Sequence, residues 1–117
     1  MDRRLAFLMD YVQISGFSKS VVSLLHELLK NMNQDGKIVV NAALKRDISE
    51  KIMITVGSID NLIGKMREEG LLNRLDRGMY EPSKELKQIM KEPETLEMTI
   101  VYSDEGKRII VNGGNGR

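Results

Sequence analysis

Residues 54–80, ITVGSIDNLIGKMREEGLLNRLDRGMY, are the most informative stretch of this chain. Thr55 is a typical helix N-cap, and Gly70 stands where a left-handed residue ends many helices. The apolar residues between them recur at helical spacing: Ile59, Leu62, Ile63 and Met66. Leu71-Leu72 and Met79-Tyr80 then bracket the turn Asp76-Arg77-Gly78. The stretch therefore predicts a capped helix running to about Glu69, followed by a short β-hairpin.

Three further elements are predicted ahead of this stretch. Residues 18–32 indicate a helix opened by Ser18 or Ser20, because their apolar residues form one wide stripe: Val21, Val22, Leu24, Leu25, Leu28, Leu29 and Met32. Residues 37–40 (KIVV) are a short β-rich run. Asn41 is a plausible N-cap for a helix over residues 42–52, which Met53-Ile54 ends.

The two ends of the chain differ in how clearly they can be interpreted. Residues 5–14 are apolar without a clean period, so a helix and a strand both remain open for the N-terminal segment 1–17. Ser83 predicts the start of a short helix that Pro93 ends. Alternation from Leu96 to Tyr102, a turn at residues 103–106 and a returning strand predict a C-terminal hairpin within 83–111. Residues 112–117 (NGGNGR) are expected to be a flexible tail.

The order of these elements predicts an α+β fold, in which residues 18–82 form a winged helix-turn-helix. A C-terminal helix and β-hairpin are appended to it. In a helix-turn-helix the first helix braces the second, and the second lies in the major groove of DNA. The helix that begins after Thr55 would be the recognition helix, and the hairpin carrying Arg77 would be the wing.

Several residue types on these elements suit DNA. With its apolar residues turned inward, the predicted recognition helix presents Val56, Gly57, Asp60, Asn61 and Lys65 outward. Asn61 can pair with adenine through two hydrogen bonds, and a small residue such as Gly57 lets a helix sit deep in the groove. Thr55 satisfies amides at the helix start, and Ser58 can bond the backbone or a phosphate. Basic residues are expected to contact phosphates or the minor groove: Lys45, Arg46, Lys51, Lys65, Arg74 and Arg77.

Asp60 conflicts with this interpretation because a carboxylate on the DNA-facing side repels phosphate. It could accept a hydrogen bond from a cytosine amine, or it could brace a neighbouring lysine or arginine. The overall net charge of +1 is also low for a nucleic-acid-binding protein. We therefore expect one chain alone to bind DNA weakly.

Composition limits the other function classes. The 117 residues are 41% hydrophobic and 30% charged, which is typical of one globular domain, and no apolar run is long enough to cross a bilayer. The absence of cysteine excludes thiolate chemistry and cysteine zinc sites. The one histidine, His26, lies on an apolar helix without a partner motif, so we expect no enzyme, no metal and no cofactor. A cytoplasmic location is expected.

Short motifs spread over about two thirds of the chain resemble the RepL-type plasmid replication proteins of Gram-positive bacteria. The segments that carry the resemblance are LLKNMN (28–33), Val40-Asn41, KRDISEKI (45–52), ITVGSIDNLIGKM (54–66), GLLNR (70–74), RGMYEPS (77–83) and LEMTIVYSDEGKR (96–108). The chain departs from that pattern at Glu81, where the family tends to carry Asn, and at Met53, where glycine is usual. The resemblance implies a winged helix of a plasmid or phage, with Thr55, Ser58, Asn61, Lys65 and Arg77 facing DNA.

The function predicted from these observations is sequence-specific binding of double-stranded DNA at a replication, transfer or control site of a mobile element. The alternatives are a winged-helix protein–protein interaction module and a transcriptional regulator with no role in element maintenance. A homodimer is expected, through the C-terminal hairpin or the helix over 18–32, and other plasmid replication or transfer proteins are candidate partners. No membrane partner is expected.

Overall fold

The computed structural model describes residues 3–91 and 95–114 and has an α+β fold. Its helices are α1 (Arg3–Ile14), α2 (Lys19–Lys30), α3 (Ala42–Ile52), α4 (Val56–Glu68) and α5 (Lys84–Met90). Its strands are β1 (Ile38–Val39), β2 (Leu72–Asp76), β3 (Met79–Pro82), β4 (Thr95–Ser103) and β5 (Gly106–Gly114). The chain divides into two compact units, one spanning Lys19–Ser83 and the other combining the residues before and after it.

The central unit contains α2, α3, α4 and an antiparallel sheet of order β1-β3-β2. The helix α3 packs against both α2 and α4, and α4 packs against β2. Its buried apolar residues are Val21, Val22, Leu24, Leu25, Leu28, Leu29, Ile38, Val40, Ile48, Ile59, Ile63, Met66, Leu71 and Leu72.

The turn between α3 and α4 is tight and is held at both ends. Asn41 caps α3, as predicted, because its Oδ1 accepts a hydrogen bond from the Leu44 amide at 2.8 Å. The Ser49 hydroxyl donates to the carbonyl oxygen of Ile54 and so ties α3 to the turn. Met53 takes the left-handed conformation with φ 57°, which costs a non-glycine residue about 1–2 kcal/mol. Its side chain is 88% exposed, so no packing offsets that strain.

Both ends of α4 have the predicted caps. Thr55 Oγ1 accepts from the Ser58 amide at 3.0 Å, which satisfies one of the free amides of the first turn. At the other end Gly70 has φ 80°, with its amide bonded to the carbonyl of Arg67. The amide of Leu71 reaches back to the carbonyl of Met66, which completes a Schellman motif. These caps fix where α4 starts and where the chain turns into β2.

The β2–β3 hairpin is short, irregular and tied to β1. Its register shifts between Arg74 and Asp76, which marks a bulge at Leu75. Gly78 at the turn has φ 72°, and a Cβ there would lie 3.1 Å from the carbonyl oxygen of Val40. The amide of Val40 also donates to the carbonyl of Gly78 at 2.8 Å. Gly78 is therefore required both for the turn and for the contact with the end of β1.

The second unit contains α1, α5 and the β4–β5 hairpin, with α5 packed against α1 and β5. The N-terminal segment, which the sequence left open, is helical from Arg3 to Ile14. Buried residues from α1 and α5 form its core: Leu8, Tyr11, Val12, Leu86 and Ile89. Burial, together with the nearby Glu85 carboxylate, raises the pKa of Tyr11 to about 12.

The expected flexible tail from residue 112 is a wrong prediction in its first half. Strand β5 continues through Asn112 to Gly114 because these residues pair with Glu97, Leu96 and Thr95 of β4. Residues 115–117 and Pro93 lie outside the described residues. Among the helices that are described, none combines the length and the apolarity needed to cross a bilayer.

Candidate nucleic-acid interface

The exposed face of α4 is composed of small and polar residues. Ile59, Ile63 and Met66 are buried against the unit's core. The residues on the opposite side of the helix, at alternating spacings of four and three, are Gly57, Asn61, Gly64 and Glu68. Lys65 lies beside them and is exposed. The orientation of Gly57, Asn61 and Lys65 therefore agrees with the sequence prediction.

Two glycines on this face are required neither by their backbone conformation nor by close packing against the described residues. A Cβ at Gly64 would meet nothing within 4 Å, and one at Gly57 would meet only Thr55 Oγ1 at 3.9 Å. Neither glycine has a positive φ. A glycine inside a helix costs roughly 0.5–1 kcal/mol relative to alanine. The two glycines therefore reduce the stability of α4 while leaving its exposed surface flat.

Asp60, whose carboxylate conflicts with a DNA-facing role, forms an ion pair with a lysine of the preceding helix. Its Oδ1 lies 2.7 Å from Nζ of Lys45 on α3. The pair joins the two helices, and it compensates the carboxylate that would otherwise face an approaching anion. The pair is one of the two roles that the sequence allows for Asp60, namely bracing a neighbouring basic residue. Lys45 is consequently engaged within the protein, although it lies at the predicted interface.

A groove of about 390 Å³ runs between α4 and the β2–β3 hairpin. Three arginines line it: Arg67 from α4, Arg74 from β2 and Arg77 from the turn. The Lys45–Asp60 pair lies in the same groove, with Val40, Ile63, Gly64, Gly78 and Tyr80 completing the lining. Counting the side-chain charges of these described lining residues gives four positive groups and one negative group, a net charge of +3, whereas the total of the chain is +1.

The groove arginines have no acidic partner in the part of the chain that the structure describes. No carboxylate lies within ion-pair distance of Arg67, Arg74 or Arg77 there. The Arg74 Nε donates only a long bond of 3.4 Å to the carbonyl of Asp76. The Asp76 carboxylate is instead directed to the amide of Arg77, at 2.7 Å, and so stabilises the turn. The guanidinium groups are thus available to an external anion.

The remaining predicted residues fall into three groups. Arg46 is exposed on α3 and Val56 is exposed at the start of α4, so both are open to a partner. Thr55 and Ser58 are used within the cap, where the Thr55 hydroxyl also donates to Ser58 Oγ at 2.9 Å. Lys51 lies 3.7 Å from the Glu27 carboxylate of α2, away from the groove lining.

Arg67 is the site residue that sequence reasoning missed. It follows Asp60 by seven residues and therefore lies on the same side of α4, two turns further along the helix. That spacing was a usable signal, but the apolar pattern alone did not show that this side faces the hairpin. The approach of Arg67 to Arg74 depends on the chain reversal at Gly70.

Comparison of the chain with protein-family models, with curated proteins and with solved structures gives no match. Within residues 3–91 and 95–114, no three His, Cys, Asp or Glu side chains are grouped as metal ligands are. His26 lies 3.9 Å from the Glu27 carboxylate on the same helix.

Proposed function

We propose that this chain binds double-stranded DNA as a winged helix-turn-helix, with α4 as the recognition helix and the β2–β3 hairpin as the wing. The observation that carries the proposal is the groove whose three arginines have no acidic partner among the described residues, beside a flat helix face. Like charges that are held together without counter-charges repel one another, and a polyanion relieves that repulsion. The phosphodiester backbone offers regularly spaced anions that arginine binds through paired hydrogen bonds.

The exposed face of α4 supports base contact. A helix that enters the major groove must bring its backbone close to the base edges, and Gly57 and Gly64 remove the side chains that would hold it away. Asn61 lies between them and can read adenine. The first amides of a helix have no partner within the helix, so those of Val56 and Gly57 at the start of α4 are suited to a phosphate.

The biological setting follows from the sequence motifs and is part of the same proposal. The resemblance to RepL-type proteins favours a site on a plasmid or another mobile element, where the chain acts in replication, transfer or control. A winged-helix module that binds only protein, or a regulator without a role in element maintenance, is the alternative. The charge distribution of the groove favours the nucleic acid over a protein partner.

The proposal is tested by measuring binding to duplex DNA from the encoding element over a range of salt concentrations. A protein that neutralises several phosphates loses affinity linearly on a log–log plot, with a slope of about −0.9 per phosphate for duplex DNA. We expect a slope near −3 or steeper for the intact chain. Absence of duplex binding at low salt would contradict the proposal.

The glycines provide a variant pair that separates binding from folding. Gly64→Ala should leave the protein as stable as the native chain or more stable, by up to about 1 kcal/mol, because a Cβ there meets nothing within 4 Å and alanine favours a helix. Urea unfolding of Gly64→Leu, measured alongside, shows whether the larger side chain leaves the fold intact. Gly64→Leu should weaken duplex binding by about tenfold or more, since its side chain holds α4 away from the bases, and Gly64→Ala should have a smaller effect. Unchanged affinity of Gly64→Leu would exclude a DNA contact on this face.

Asn61→Ala tests base reading separately from phosphate contact. It should reduce the preference for the cognate duplex over an unrelated one, whereas Lys65→Ala should weaken binding to both duplexes alike. An equal loss on both duplexes from Asn61→Ala would argue against direct readout at that position.

A further inference from the structure

The β4–β5 hairpin is long and regular, and it is unpaired along its outer edges in the described chain. Its strands pair from Thr95 opposite Gly114 to Ser103 opposite Gly106 without a shift in register. The sheet has two strands within the described residues, so the outer edge of β4 presents unpaired main-chain groups. Such an edge is a template for another strand, and a hairpin of only two strands is marginal by itself.

One face of this hairpin is apolar and partly open to solvent. Leu96, Met98, Ile100 and Tyr102 alternate along β4 and therefore share a face. Ile109 and Val111 of β5 lie opposite Ile100 and Met98 and extend it. Tyr102 is 75% exposed and Ile100 is 37% exposed. An apolar face at an open edge indicates a protein partner more than a nucleic acid.

The β4 strand is complementary to itself. When two copies of TLEMTIVYS run antiparallel about Thr99, all nine residues of each strand are paired. Leu96 then lies opposite Tyr102, and Met98 lies opposite Ile100, so apolar residues meet apolar residues. The single charged residue of the strand, Glu97, lies opposite Val101, and like charges are never placed face to face within it.

The alternatives are poorer on the same criteria. A one-residue slip would place the apolar face of one hairpin beside the polar face of the other. Pairing through β5 would use a strand that carries two adjacent charges, Lys107 and Arg108, and glycine at both ends. Glycine weakens strands and contributes no side chain to the pair.

From this register we infer that a second copy of the chain docks on the outer edge of β4. The two copies form a continuous four-stranded antiparallel sheet of order β5-β4-β4-β5 across a two-fold axis at Thr99. The apolar faces of the two hairpins lie on the same side of that sheet. This assembly is independent of DNA binding.

In the proposed dimer, Thr99 of one copy lies directly opposite Thr99 of the second copy, so a charge introduced there faces the same charge. The full-length chain should sediment as a dimer at concentrations of about 100 μM. Thr99→Lys and Thr99→Glu should each weaken self-association by about tenfold or more, because like charges then face each other. An equimolar mixture of the two variants should regain dimers, which excludes misfolding as the cause.

Asn112→Lys is the matched control, because it adds the same charge to β5 on the face that Thr99 shares. It should leave the dimer intact. A native chain that stays monomeric at 100 μM would overturn the inference, as would a Lys/Glu mixture that does not associate. Loss of the dimer in Asn112→Lys but not in Thr99→Lys would assign the contact to β5 and overturn it equally.

Discussion

The two β-hairpins of this protein are built for different surroundings. The β2–β3 hairpin has strands of five and four residues, a bulge at Leu75, a third strand along one edge and two arginines directed to a groove. The β4–β5 hairpin has two regular nine-residue strands and a partly exposed apolar face. The arginines of the first hairpin, which have no acidic partner among the described residues, are suited to bind an anion. The apolar surface at the open strand edge of the second hairpin is suited to bind another protein chain.

The largest expected difference between the two hairpins is in duplex DNA affinity after two basic residues of each hairpin region are neutralised. Arg74→Gln with Arg77→Gln should lower duplex affinity by about a hundredfold at moderate salt. The plot of log affinity against log salt should become shallower by the contribution of about two phosphate contacts. Lys84→Gln with Arg108→Gln removes the same charge from the surface around β5 and should change affinity by less than about threefold. Equal losses from both pairs would show that net charge, and not the groove, governs binding.

The stability of the unit that carries β4–β5 should also depend on alkaline pH through Tyr11, which the central unit lacks. Because the folded-state pKa of Tyr11 is raised to about 12, its stabilising neutral form is fully present below the ordinary pKa of about 10. As the pH rises from 9 to 12, the free energy of unfolding should fall by about 2 kcal/mol through this residue. Urea unfolding at each pH measures the loss.

Tyr11→Phe is the control for that pH dependence, because it keeps the ring and removes the titrating hydroxyl. The variant should show a fall in stability smaller by about 2 kcal/mol over the same range. Identical pH profiles for the variant and the native chain would mean that Tyr11 is not the group responsible.

The tip of the β2–β3 hairpin is predicted to be sensitive to a single methyl group. Gly78→Ala adds a left-handed strain and a contact with the Val40 carbonyl, whereas Gly36→Ala adds only the strain, at a similar φ of 75°. We expect losses in unfolding free energy of about 2 kcal/mol and about 1 kcal/mol, respectively. Losses of the same size would indicate that the Val40 contact relaxes without cost.

The smallest expected effect concerns Asp60, the carboxylate among the described residues that line the groove. Asp60→Asn removes a negative charge and releases Lys45, so binding to all duplexes should strengthen by about three- to tenfold. Asp35→Asn changes the same charge in the turn after α2 and should leave affinity within twofold of the native value, which is about the precision of a titration. Weaker binding of Asp60→Asn would instead assign Asp60 a direct contact with a base.

Much of the central unit could be predicted because its signals are local. The helix caps at Asn41, Thr55 and Gly70 are predicted correctly because a cap depends on hydrogen bonds between residues at most five positions apart. The extent of β5 could not be predicted, because the glycines at its end look like a flexible tail. Pairing with Thr95 and Leu96 orders them.

The sequence by itself determined the α+β class, the order of the elements from α2 onward, the caps of α3 and α4 and the outward direction of Asn61 and Lys65. Only the tertiary structure decided that Lys45 pairs with Asp60 across two helices and that Arg67 joins Arg74 and Arg77 in one groove. The physical reason is range. Backbone caps and apolar periodicity act over a single turn or strand, whereas the electrostatic field of a groove depends on side chains that are distant in sequence and are brought together by the fold.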